Sequence, residues 1–203
     1  MSKETRTKLL EGALTTLVEQ GIAGASARAV AAAAGVNQAL VFYHFGSVDE
    51  LLAAACRHGA EQRVAGYRDR LRKVGTLDEL LALGRELHTT ERAGGHVAVL
   101  AQLLAGAQTQ PRLAPATAAG LALWTEEIEQ VLGRVLAGSP LSGLVDVAGL
   151  AKALSAAFIG LELFEGVDPA GAEHAFAALD RIAGLITALD ELTRLAPLAD
   201  QPP

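Results

Sequence analysis

Residues 26–46, SARAVAAAAGVNQALVFYHFG, constrain the fold more than any other stretch of the chain. Ser26 is placed as a helix N-cap, its hydroxyl accepting a free N–H of the first turn, and residues 27–34 are strong helix formers. Gly35 ends that helix, since glycine takes a left-handed backbone at little cost. Asn37 then caps a second helix expected over residues 38–45. On the second helix Val41 and Phe45 fall one turn apart and bury against Val30 and Ala34 of the first. Two short helices joined by a glycine turn make a helix-turn-helix.

The remaining face of the second helix carries Gln38, Ala39, Phe42, Tyr43 and His44. An amide, two aromatics and a histidine suit a helix in a DNA major groove. Gln pairs with the edge of adenine, Ala and Phe touch thymine methyls, and Tyr and His reach phosphates. Leu40 is placed to read a methyl group or to stand exposed, and Arg28 to contact guanine or phosphate. The string AGVNQALVFYHFGSVDELL resembles the signature of the TetR family of transcriptional regulators, closely over about residues 5–52. The resemblance implies an all-α fold: a three-helix DNA-binding domain over residues 1–46, then an effector-binding and dimerisation domain over 47–203, with helix 4 linking the two. It implies a cytoplasmic homodimer, most simply a repressor, on a palindromic operator. The pattern departs from the family's at Phe42, where Tyr is usual, and at Val48, where Lys is usual; both changes remove a phosphate contact and weaken DNA binding.

The composition is compatible with that reading. A chain of 203 residues, 51% hydrophobic but only 4% aromatic, builds its core from Ala, Leu and Val, which favours closely packed helices. Its net charge of -6 opposes contact with phosphates, but the charge is unevenly spread. Residues 1–46 hold four basic and three acidic side chains; residues 47–203 hold 13 basic and 20 acidic ones. The acidic remainder repels DNA and confines contact to the N-terminal end. The single cysteine, Cys56, rules out an internal disulfide, fits a reducing cytosol and reads as a small buried residue. The N-terminus has no signal pattern, and no run reads as able to cross a membrane: the most apolar, residues 154–164, is interrupted by Glu162 and flanked by Lys152 and Glu165.

Helical periodicity divides the rest of the chain. Residues 3–20 form a first helix ended by Gly21, with Lys3, Arg6 and Lys8 where a DNA backbone would pass. Ser47 caps a fourth helix running to about Lys73, with Asp49 and Glu50 favourable at its positive end. Further helices are expected over 76–89, 94–108 and 116–136, the last after Pro111 and Pro115 and closed by Gly138, Ser139 and Pro140. The last two, 146–165 and 169–195, are joined by three residues and should fold back as a hairpin, followed by a disordered tail, LADQPP. Leu150, Leu154, Phe158 and Leu161, then Phe176, Leu179, Ile182, Ile186 and Leu189, make an apolar surface too wide for one hairpin to bury, and Ala153, Ala157, Gly160 and Ala183 would let another helix approach closely. A second copy would complete a four-helix bundle and set two recognition helices about 34 Å apart.

The resemblance also implies a small-molecule site among the middle helices. His88, His96, Gln102, Gln108, Trp124 and Glu162 are the polar or aromatic side chains placed to orient a small, largely apolar effector there. No cofactor and no metal are called for. Neither a paired Glu-x-x-His nor a His-Glu-x-x-His, Walker or Gly-x-Ser-x-Gly motif occurs, which argues against an enzyme. The competing class is a ligand-binding helical dimer with weak or lost DNA binding.

Overall fold

The computed structural model describes residues 2–109, 111–137, 139 and 143–195, all helical or in short turns, with no strand among them. The tail, Gly138 and Pro140, and the side chain of Leu189 lie outside the described set. The helices are α1 (Ser2–Gly24), α2 (Ala27–Ala33), α3 (Ala39–Phe45), α4 (Val48–Lys73), α5 (Leu77–Ala93), α6 (His96–Thr109), α7 (Ala114–Leu136), α8 (Val147–Glu165) and α9 (Pro169–Leu195). A 3-10 turn, Pro111–Leu113, precedes α7.

The punctuation follows from the residues named above. Ala29 donates its N–H to the Ser26 hydroxyl at 3.2 Å, and Glu50 donates to the Ser47 hydroxyl at 3.1 Å. Gly35 takes φ 64°, the left-handed turn expected between α2 and α3. Asn37 Oδ1 accepts the Ala39 N–H at 2.8 Å, so α3 starts one residue later than the sequence suggested. Gly21 breaks α1 with φ 69° and ψ -177°, and the helical path resumes for three residues beyond it.

Two compact units emerge, interleaved along the chain. The first comprises 1–66 and 91–124, the second 67–90 and 125–203. Neither limit coincides with residue 46. α4, α5 and α7 each contribute to both units, because a long helix buries different stretches of its length in different cores. In the first unit Leu9, Leu10, Ala13 and Leu17 of α1 close over Val30 of α2, Val41 of α3 and Leu51, Leu52 and Ala55 of α4, with Val99 and Leu103 of α6 in the same cluster. In the second, Leu71, Val74, Leu80, Leu83, Val131, Leu132, Leu136 and Ala151 form the core.

α8 corrects one expectation. At 19 residues and a mean hydropathy of 1.6 it is, by length and composition, long and apolar enough to cross a membrane, and only 11% of its window is buried within the chain. Three charged residues in so apolar a helix do not lower its hydropathy far enough to exclude a span, as the sequence reading had assumed.

Candidate nucleic-acid interface and buried charge cluster

α3 is a short helix with one side in the core and the other in solvent. Val41 is fully buried, and Phe45 and Ala34 pack partly against the same core. Gln38, at the N-cap position, and Ala39 are exposed, as are Phe42 at 50% and Tyr43 at 79%, while His44 is half-buried. Tyr43 and His44 meet edge-on at 5.0 Å between ring centroids. Leu40 is half-buried, as His44 is, and packs partly against the core. Its position, one residue before Val41, lies over the edge of the buried stripe. Arg28, Lys3, Arg6 and Lys8 are exposed, but Lys8 is bound to Glu4 at 2.8 Å. Exposed side chains that are large, aromatic and planar cost water contact and gain nothing until something covers them. On α3 they stand beside hydrogen-bonding groups, the mixture a base-edge reader needs.

The six side chains assigned to an effector separate between the units. In the first, Gln102 of α6 accepts the Ile22 N–H at 2.9 Å, the donor set free where Gly21 breaks α1. A Cβ at Gly21 would lie 2.6 Å from Gln102 Oε1, so the glycine is needed for that approach. Gln102 thus acts as a backbone cap. Gln108 is exposed and Trp124 half-buried. His96 begins α6 with Nδ1 3.0 Å from Glu91, which also meets Arg63 at 3.2 Å. Its ring borders a cleft of about 240 Å³ with Leu14, Thr15, Val18 and Glu19.

In the second unit His88 and Glu162 do come together. His88 of α5 is 8% exposed and Glu162 of α8 is 5% exposed, with His88 Nδ1 3.3 Å from Glu162 Oε1. His88 Nε2 contacts Glu165, one turn further along α8. An imidazole can donate to both carboxylates only with a proton on each nitrogen. Phe158 and Phe176 flank the ring at centroid distances of 6.1 Å and 5.5 Å. Arg85, one turn before His88, lies over the Phe176 ring at 5.1 Å and pairs with Asp180 of α9. Sequence reasoning missed Glu165 and Arg85, although the i, i+3 spacing of Glu162 and Glu165 and of Arg85 and His88 marked shared helix faces.

The same cluster divides the expected dimer surface. Phe158 and Phe176 face His88, and Leu154 packs on the core of the second unit, so these three point inward. Leu161, Leu179 and Ile186 are half-buried, while Leu150 and Ile182 are exposed, at 39% and 53%. Both helices carry two apolar stripes, and those with Phe158 and Phe176 face His88. The outward stripes are Leu150, Ala153, Ala157, Gly160, Leu163 and Phe164 on α8, and Ile182, Leu185 and Leu192 on α9.

Residues 9–55 match the sequence model of the bacterial regulatory proteins, tetR family. Uncharacterized HTH-type transcriptional regulators of Mycobacterium bovis and Mycobacterium tuberculosis are 26% identical over 111 residues, 55% of this chain and 57% of theirs. The match therefore spans little more than half the length of these relatives. Among solved structures, a TetR-family transcriptional regulator from Rhodococcus sp. superposes with a TM-score of 0.72 at 23% identity, covering 91% of this chain and 98% of that one. The multidrug binding protein EbrR complexed with proflavin superposes with a TM-score of 0.62 at 27% identity, covering 87% and 98%; the same protein is also known complexed with imidazole.

Proposed function

We propose that this chain, whose residues 9–55 match the tetR-family sequence model, is a homodimeric transcriptional regulator, a repressor, released from a palindromic operator by a small effector. The observation that carries this reading is the solvent face of α3. Gln38, Ala39, Phe42 and Tyr43 stand free while Val41 holds the helix on the core. Such a face presents base-reading groups on a rigid element.

Dimerisation is assigned to the outward stripes of α8 and α9. Their small residues permit close approach of a second hairpin and burial of side chains such as Leu185, 65% exposed in the single chain. A dimer carries two α3 helices, so its operator is expected to have two matching half-sites. The effector is expected to have a largely apolar body. EbrR's ligands, imidazole and proflavin, carry basic nitrogen, and Glu162, Glu165, Phe158 and Phe176 offer carboxylates and rings to such a molecule. By linkage, an effector that lowers operator affinity must itself bind more weakly to the operator complex. No cofactor takes part.

Selection of bound sequences from a random duplex library tests the reading. The wild type is expected to enrich a palindrome, and Gln38→Ala to degrade one position in each half-site. A second reading, a ligand-binding dimer without useful DNA affinity, draws on the cation-poor stretch between Arg28 and Arg57. Failure of the library to enrich any sequence at low salt would establish that alternative.

A further inference from the structure

Between Arg28 and Arg57 the chain contains no lysine and no arginine. α3, the turn before it and the start of α4 therefore bring only His44 as a basic side chain to a phosphate backbone. Affinity for duplex DNA comes largely from cations that displace condensed counterions. A reading helix without them must borrow them from another element.

Three cations lie near the start of α1, and they differ in their engagements. Lys8 is tied to Glu4 at 2.8 Å, a contact that lowers the carboxyl's pKa and raises the ammonium's. Lys3 is exposed. Arg6 is exposed, is in no ion pair among the described residues, and holds its guanidinium 4.9 Å from the centre of the Phe45 ring. Phe45 is the last residue of α3, half-buried and packed on the core of the first unit. The platform is fixed from beneath. A guanidinium stacked on an aromatic face gains cation–π attraction while its N–H donors, which lie in its own plane, remain available at the edges. It is thereby oriented without being neutralised, at the C-terminal end of α3.

We infer that Arg6, held on the Phe45 ring, is the phosphate clamp of α3: a positioning cation supplied by α1 to a recognition helix that has none of its own. This rests on the reading that α3 binds DNA. Arg6 grips the backbone beside the C-terminal end of α3 and touches no base edge, so its loss weakens binding to all sequences alike and leaves the preferred sequence unchanged. Phe45 contributes to the same contact by fixing the guanidinium, so the two residues act as one unit.

The test uses the full-length protein and the duplex enriched from the random library, with affinity measured by fluorescence anisotropy across a potassium chloride series. Arg6→Gln is expected to weaken binding roughly tenfold and to reduce the slope of log K against log salt by about 0.9 per protomer. Arg6→Lys keeps the slope and loses severalfold in affinity, because an ammonium stacks poorly and lacks the planar fork. Phe45→Leu retains apolar packing and weakens binding by an amount that does not add to that of Arg6→Gln in the double variant. Melting curves of the exposed-site Arg6 variants monitor the fold independently of Phe45. Wild-type affinity and slope in Arg6→Gln would overturn the inference, as would a loss of affinity with unchanged slope and a lowered melting temperature, which marks a packing role. Full additivity of the two substitutions would also overturn it. If the wild type enriches no duplex, the DNA-binding reading fails and this inference with it; if the wild type binds and Arg6→Gln binds equally well, only the inference fails.

Discussion

On α3 the exposed apolar side chains are Phe42 and Tyr43, set beside Gln38 and His44 and next to the stacked Arg6; on α8 and α9 they are Leu150, Leu163, Phe164, Ile182, Leu185 and Leu192. Both surfaces leave large side chains in water. Their chemistry differs in what could cover them. The α3 face alternates planar rings with hydrogen-bonding groups, which matches a base edge and a phosphate. The α8–α9 face is mostly aliphatic, with Phe164 its one ring and Ala153, Ala157 and Gly160 between its larger members, which matches the side of another helix. Exposure marks a surface as unfinished; the groups between the apolar residues indicate the partner.

A charge placed in the aliphatic face should separate the two surfaces most strongly. Leu185→Glu is expected to yield a folded monomer by light scattering. Operator affinity should fall by roughly a hundredfold or more, since each reading head then binds without its tether. A dimer that survives would move the interface elsewhere. The inward side of α8 offers a contrast of the same kind. His88→Ala removes the imidazole that both Glu162 and Glu165 meet, and should cost about 3 kcal/mol in chemical denaturation. Adding Glu162→Gln should recover part of that loss. Two equally stable proteins would mean the cluster contributes no net stability.

Smaller effects belong to α3 and α4. Tyr43→Ala should lower operator affinity by roughly 1–2 kcal/mol while leaving the melting temperature unchanged, because the ring is 79% exposed and supports no core. A drop in melting temperature would assign Tyr43 to packing. Cys56 is the quiet control. Burial raises its thiol pKa to about 11, so at neutral pH only on the order of 10⁻⁴ of it is thiolate. Alkylation by iodoacetamide should be slow in the folded protein and fast in denaturant, and Cys56→Ala should bind operator as the wild type does.

The sequence was most legible where one residue decides one backbone event. Ser26, Gly35, Asn37 and Ser47 punctuate the chain as their chemistry requires, and α9 runs over the residues expected. It was least legible where two answers satisfy the same pattern. α8 and α9 each carry two apolar stripes, and periodicity does not say which one faces inward; Phe158 and Phe176 lie against His88, a residue on a different helix that local spacing does not reach. Gln102 reads as a ligand contact until Gly21 is seen to break α1 and free the Ile22 N–H that Gln102 accepts. That pairing joins residues 80 positions apart, beyond the reach of local spacing. The stacking of Arg6 on Phe45 was equally hidden, since it depends on how α1 crosses α3.

The most direct test of the division between a DNA-reading face and a dimer-forming face is native mass spectrometry of the protein, alone and with its enriched duplex. Two chains in the free protein, and pairs of chains on a duplex whose sequence has two-fold symmetry, are the predicted result. A single chain in solution, or one chain bound to an asymmetric sequence, would contradict it.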